Sequence, residues 1–267
     1  DNQSRSTARR LADVAAHVEV RTGDVRDARA VMRAAQGIDR LIHLAYVNGT
    51  QFTNRYAEQL AAELTHLLPP HLAYCYFLSS GSEAIEAAVK LARQYWVERG
   101  EERRWKVISR VPSYHGNTLA ALSLSGREHY RRIYGPLLTN FPRFAAPDPY
   151  RDPDGPGTTG EAFEEELLRQ GPETVAALVI EPIGGSSTGA VEPTPAYLRR
   201  ITRLCRQHGV LLIADEVLTG AGRTGRFLAG DHFDLAPDIL VLGKGLNGGA
   251  VPLSAVVASR EIVEPLA

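Results

Sequence analysis

Three short apolar runs constrain this chain more than any other feature, because each ends on a polar residue of a different kind. Val-Ala-Ala-Leu-Val-Ile precedes Glu181, Leu-Leu-Ile-Ala precedes Asp215, and Ile-Leu-Val-Leu precedes Gly243 and Lys244. Runs this short, bounded by turn residues, read as strands buried on both faces, the kind found in parallel sheets covered by helices. Between the first two runs, residues 195–208 carry Leu198, Ile201 and Leu204 at helical spacing, and Gly209 stops that helix. Strand, helix and strand alternate as far as Lys244, which predicts an α/β fold with a mostly parallel sheet flanked by helices. Ligands of such sheets sit outside the carboxyl ends of the strands, so Glu181, Asp215 and Lys244 belong to one edge and one site.

An acid and a lysine at neighbouring strand ends suit pyridoxal 5'-phosphate. The lysine can hold the aldehyde as a Schiff base while the acid keeps the ring nitrogen protonated. Lys90, Lys106 and Lys244 are the only lysines, which leaves few candidates for that chemistry.

Earlier in the chain, residues 55–68 place Tyr56, Leu60, Leu64, Leu67 and Leu68 on one helical face, ended by Pro69-Pro70. A strand over 73–78 leads into Ser79-Ser80-Gly81-Ser82-Glu83, where Ser80 and Glu83 have capping-box spacing before a helix through Trp96. Free N–H groups and the helix dipole make such a start an anion site. Alone, a Ser-Gly-Ser start is more often a cap; beside Asp215 and Lys244 it reads as a phosphate cup with Gly81 and Ser82 as donors. A strand over 106–111 delivers Tyr114-His115-Gly116, and an aromatic there can stack on a flat ring. Taken singly, Tyr114 is more often a core residue and His115 more often a satisfied loop histidine. Residues 126–160, rich in Arg, Pro and Tyr, read as a surface excursion without a role, and 161–169 as a short polar helix. Gly220-Ala221-Gly222-Arg223-Thr224-Gly225 matches G-x-G-x-x-G but opens no long helix, so it reads as a glycine-rich loop, structural or substrate-facing.

Composition removes other classes. A formal charge of -1 gives no electrostatic case for nucleic acid or an anionic membrane, so a small-molecule substrate is expected. No apolar run approaches the roughly 20 residues of a bilayer span, and the first residues lack a signal peptide's apolar centre, which points to the cytoplasm. Cys75 and Cys205 have no companion at metal-ligand spacing; two reduced thiols and no metal site are expected.

Two resemblances refine the picture. Residues 1–50, through Gly23-Asp24-Val25 and His43-Leu44-Ala45, resemble a partial Rossmann β-α-β piece of an extended short-chain dehydrogenase/reductase of the NAD-dependent epimerase kind. Its glycine-rich first turn is absent, so no dinucleotide binding is expected. Residues 51–267 resemble the class III (ω-) aminotransferases of the fold-type I pyridoxal-phosphate enzymes. Ser80-Gly81-Ser82-Glu83-Ala84, Tyr114-His115-Gly116, Glu181-Pro182-Ile183, Asp215-Glu216-Val217, Gly222-Arg223-Thr224-Gly225 and Lys244 with Gly248-Gly249 carry the likeness.

By that resemblance Lys244 forms the Schiff base and moves the proton, and Asp215 bonds the ring nitrogen. Tyr114 and Val217 flank the ring, Gly81 and Ser82 hold the phosphate, and Ser80, His115 and Glu181 complete the cofactor site. The implied reaction moves an amino group from an amine or ω-amino acid to a 2-oxo acid, pyruvate or 2-oxoglutarate. Leu218, where many members have Gln, and Ser186, where 2-oxoglutarate users often have Glu, lean toward pyruvate. The intact parent is expected to be a homodimer, with a small C-terminal domain beyond Ala267. An aminomutase or racemase of the same fold, or an inactive chimeric fragment, are the alternatives.

Overall fold

The computed structural model describes residues 55–266, so the dehydrogenase-like reading of 1–50 lies outside the described residues. The chain divides into two compact units, Asp1–Leu60 and Ala61–Ala267, and the second holds the sheet. The helix α1 (Arg55–His66) opens the described residues. Leu64 and Leu68 are buried but Leu67 is 57% exposed, so the apolar face is narrower than its spacing predicts. The helix ends at His66, and Leu67 already belongs to the turn toward Pro69.

Seven strands follow: β1 (Leu72–Leu78), β2 (Lys106–Val111), β3 (Arg143–Ala145), β4 (Val175–Ile180), β5 (Leu211–Asp215), β6 (Ile239–Leu242) and β7 (Ser254–Ser259). They form one sheet in the order β1-β7-β6-β5-β4-β2-β3. Every pairing is parallel except those of β7, which runs antiparallel to both β1 and β6. The carboxyl ends of β1, β2, β4, β5 and β6 therefore lie on one edge. The α/β, mostly parallel expectation holds.

The central strands are buried along their whole length, and their side chains alternate between two cores. Leu178, Ile180, Leu212, Ala214, Leu240 and Leu242 face one core. It is closed by α6 (Glu161–Gln170), through Phe163 and Leu167, and by α7 (Pro195–His208), through Leu198, Ile201 and Leu204. Val179, Leu211, Ile213, Ile239 and Val241 face the other, against α2 (Gly81–Glu98). Ala84, Ala88 and Ala92 give α2 a small inner face, so its axis sits close to the sheet. At its far end the Trp96 indole N–H donates to the Ala176 carbonyl at 2.9 Å.

Two features depart from the sequence reading. Residues 126–160 are not structureless: they form α4 (Glu128–Tyr134) and α5 (Pro156–Thr159), and they supply β3. Neither element shows a period, because α4 buries no residue and β3 is too short to alternate. The preceding helix α3 (Leu119–Leu124) is buried over most of its length. The strand-helix alternation also breaks between β5 and β6, where the chain makes turns and a single 3-10 helix, Ala229–His232.

Phe163 is fully buried, with its ring centroid 5.2 Å from that of Phe144 on the edge strand β3. Phe163→Ala is expected to lower stability by about 3–5 kcal/mol, the usual cost of emptying such a position, read as a fall in the urea midpoint. A loss below about 1 kcal/mol would mean that β3 is not anchored through this pair.

Candidate active site

The site starts from the carboxyl end of β5. Asp215 is 5% exposed, and both its oxygens are engaged: Oδ2 lies 2.8 Å from His115 Nδ1, and Oδ1 accepts the Val217 N–H at 3.1 Å. A buried carboxylate needs such partners, since desolvation without them would drive it neutral. His115 is set by its own chain, for its N–H donates to Ser125 Oγ at 2.9 Å and its ring is shut off from solvent. Each Asp215 oxygen still has a lone pair for a further donor.

Val217 follows the acid and meets α2. A methyl group on Gly81 would lie 2.7 Å from Val217 Cγ1, so only glycine fits there. Ser80 caps the helix by accepting the Glu83 N–H at 3.3 Å, and its carbonyl takes the Ala84 N–H at 3.0 Å. The Glu83 carboxylate receives the Ser80 hydroxyl at 2.8 Å, a variant of the expected capping box. That leaves the N–H groups of Gly81 and Ser82 without a helical acceptor, at the positive end of an 18-residue helix. Ser82 Oγ accepts the Asn117 N–H at 2.9 Å, which fastens the Tyr114-His115-Gly116 turn to this helix start. The Ser254 hydroxyl donates to the Ser80 carbonyl at 2.8 Å, tying β7 to the same place.

Lys244 follows β6 with φ 43°, a left-handed conformation uncommon outside glycine. Its side chain is exposed, and the preceding Gly243 lies against Val217, where an added Cβ would be 3.3 Å from Cγ1. Among the described residues its amine makes no hydrogen bond. The sequence-selected residues Ser80, Gly81, Ser82, Tyr114, His115, Glu181, Asp215, Val217 and Lys244 thus share one sheet edge. Direct contacts tie the α2 start, the Tyr114 turn and the Asp215 segment together.

Glu181 ends β4 and is 5% exposed. Burial pushes its carboxyl above the ordinary value of 4.5. His115, Arg110 and the Tyr114 backbone N–H oppose that rise, and Asp215 adds to it. Its Oε2, His115 Nε2 and Arg110 Nε are buried without partners among the described residues. Orphaned polar atoms are rare in ordinary cores, and three here mark a functional region. Arg110, buried near the carboxyl end of β2, gives a side-chain N–H to the Glu181 carbonyl. Sequence reading missed Arg110, although an arginine inside Lys-Val-Ile-Ser-Arg-Val was its own signal.

It also missed Arg127. Gly126 passes so close to the Arg110 carbonyl that no side chain fits, and this delivers Arg127 beside Tyr114. Its guanidinium carbon lies 4.6 Å from the Tyr114 ring centre. By contrast, Glu216, next to Asp215, is structural: it accepts from Thr219 Oγ at 2.7 Å, Gly230 N at 2.8 Å and Ala229 N at 2.9 Å. It pins the glycine-rich loop, none of which forms a dinucleotide-type helix. Cys75 and Cys205 are free; burial raises the first to about 11 and pushes the second up further.

Comparison with known proteins places the chain in a family. The class-III aminotransferase family matches residues 9–267, a span that includes most of the segment read as dehydrogenase-like. This chain belongs to the class-III aminotransferases. It is 43% identical over 233 residues to the uncharacterized aminotransferase YodT of Bacillus subtilis (strain 168), covering 85% of this chain and 52% of that protein. An omega-amino acid–pyruvate aminotransferase of Pseudomonas putida is 36% identical, covering 84% and 51%. Among solved structures, a thermostable (S)-enantioselective omega-transaminase from Thermomicrobium roseum superposes with TM-score 0.77 at 38% identity, covering 84% and 51%. An amine transaminase from an uncultivated Pseudomonas species, solved with PLP bound, gives TM-score 0.78 at 34% identity, covering 89% and 54%. The chain spans about half the length of these relatives. No helix among the described residues is long and apolar enough to cross a membrane.

Two outcomes follow from the packing. Gly81→Ala should destabilise the chain although alanine favours a helix by up to about 1 kcal/mol, and Val217→Ala in the same chain should restore the loss. Purely additive midpoints would show that the two do not press on each other. For Glu181 the raised native value means that the native state keeps its proton after the unfolded chain has lost it. Stability from this group is therefore full below the ordinary value and falls as pH rises through the native one. Glu181→Gln should flatten that fall in urea midpoints taken from pH 4.5 upward; parallel profiles for both proteins would rule the group out as its source.

Proposed function

We propose that this chain carries the pyridoxal-phosphate-binding part of an aminotransferase, one that moves an amino group from an amine or ω-amino acid to a 2-oxo acid. The observation that carries the proposal is Asp215, a buried carboxylate braced at both oxygens, on the same strand edge as the Lys244 amine. The donor set suits the cofactor. Two N–H groups at the start of α2 await an anion, Gly81 leaves a cradle that a Cβ would close, and the Lys244 amine is accessible. When bound, the cofactor supplies an electron sink for the carbon that carries the amine.

The chain's own groups do the rest. The Gly81 and Ser82 N–H groups would bind the phosphate, aided by the helix dipole. Asp215 would accept the N–H of the cofactor's ring nitrogen, and His115 holds Asp215 in place from its other side. Tyr114 would stack on one face of the cofactor ring, and Val217 would pack against the other. Lys244 Nζ would hold the cofactor covalently and, as a free amine, would serve as the proton carrier at the substrate carbon. Glu181, at the end of β4, braces the Tyr114 turn through its backbone N–H.

Pyruvate is favoured as acceptor over 2-oxoglutarate. Ser186 is uncharged, and apolar Leu218 lies against the Glu181–Gly185 turn. The Pseudomonas putida relative acts with pyruvate by its name. A cytoplasmic homodimer is proposed for the intact protein from the family resemblance.

The test is the visible spectrum of the purified chain with pyridoxal phosphate, before and after borohydride. Reduction should fix the cofactor on the unaltered chain and leave Lys244→Ala unlabelled, while Asp215→Asn should bind the cofactor at least about tenfold more weakly, one lost charge-assisted bond. Equal labelling of the Lys244→Ala chain would end the assignment.

A further inference from the structure

Arg127 is an arginine whose charge nothing balances. Several guanidinium groups find acids: Arg200 pairs with Glu164 at 2.7 Å, Arg104 with Glu101 at 2.7 Å, and Arg169 with Glu166 at 2.6 Å, while Arg93 and Arg131 spend their N–H groups on carbonyl and amide oxygens. Arg127 is held by neutral groups instead. Its Nε donates to Ser187 Oγ at 2.9 Å, and one Nη to Ser186 Oγ at 2.7 Å. Tyr114 lies at 4.6 Å and Tyr130 at 5.9 Å, ring centre to guanidinium carbon. Among the described residues it forms no ion pair; its chain neighbour Glu128 is exposed.

These contacts aim the group without neutralising it. Two hydroxyls and a ring face fix the plane of the fork, and three of its five N–H groups remain available. Arg127 is half-buried, so its charge is only partly screened by water. Its anchors also place it. Tyr114 lies past the carboxyl end of β2 and Ser186 past that of β4, the strand beside β5 and Asp215. A planar cation with spare donors, one strand from the reacting edge, matches a carboxylate.

We propose that Arg127 binds a carboxylate of the substrate and makes this site selective for amino and oxo acids over simple amines. The inference rests on the aminotransferase reading above, which fixes this edge as the reacting one. In this role Ser186 and Ser187 set the fork's orientation, and Tyr114 separates the carboxylate subsite from the ring it stacks on.

Two measurements test it, and they fail independently of the cofactor assignment. In the cofactor-free chain, the Arg127 Nε–H resonance, identified by its loss in Arg127→Gln, should shift saturably with propionate and stay still with propylamine at equal ionic strength. Arg127→Lys should keep weaker propionate binding, and Arg127→Gln should lose it. In the cofactor-loaded chain, titrated through its visible band, β-alanine should bind more tightly than propylamine, and Arg127→Gln should erase that preference by about tenfold or more while leaving propylamine unchanged.

No saturable shift with propionate overturns the proposal. So does an equal loss for both amines, which would make Arg127 a prop for Tyr114 alone. A chain with no Lys244-dependent band would sink the aminotransferase reading, and the propionate titration would still decide Arg127.

Discussion

The site depends on keeping one buried carboxylate hydrogen-bonded at both oxygens. Asp215 ends the most central part of the sheet, where water is excluded and its oxygens must find partners within the protein. The His115 ring on one oxygen and the Val217 N–H on the other are those partners. Everything near it serves those two contacts. Ser125 fixes the His115 backbone, Ser82 fixes the following turn through Asn117, and Gly81 leaves room for Val217 to turn in. The phosphate end and the ring-nitrogen end of the proposed cofactor site are thus built from one set of contacts, and a change at either is felt at the other.

The strands that carry chemistry were legible because they are buried on both faces. Over β4, β5 and β6 nearly every residue is apolar, so the first polar residue marks the strand end and the site together. The helices α2 and α7 were legible for a different reason, a cap at one end or a glycine at the other. What escaped had no period to read. The strand β3 owes its place to Phe144 packing on Phe163 and to pairing with β2, both long-range facts.

Among site residues, Asp215 and Lys244 stood out by position alone, and the Ser80 to Ser82 start by its cap. Arg127 could not be singled out, because a surface arginine in a polar stretch has no local signature. Its role comes from Gly126, Ser186, Ser187 and Tyr114, which meet only when the ends of β2 and β4 are side by side. Position within a buried strand is thus a one-dimensional signal, whereas convergence of loops from different strands is not.

The antiparallel strand β7 has a consequence for how such a chain comes off the ribosome. Among the described residues the strand β1 pairs with β7 alone, across a sequence separation that the Ser254–Ser80 contact puts at 174 residues. Until β7 emerges, β1 has no neighbour to join, and β6 presents an open, wholly apolar edge. The start of α2, the phosphate end of the proposed cofactor site, directly follows β1, so it is made early in synthesis but seated late. Loop closure over such a distance is slow, and the half-built sheet is the species most prone to pair with another copy or to need a chaperone.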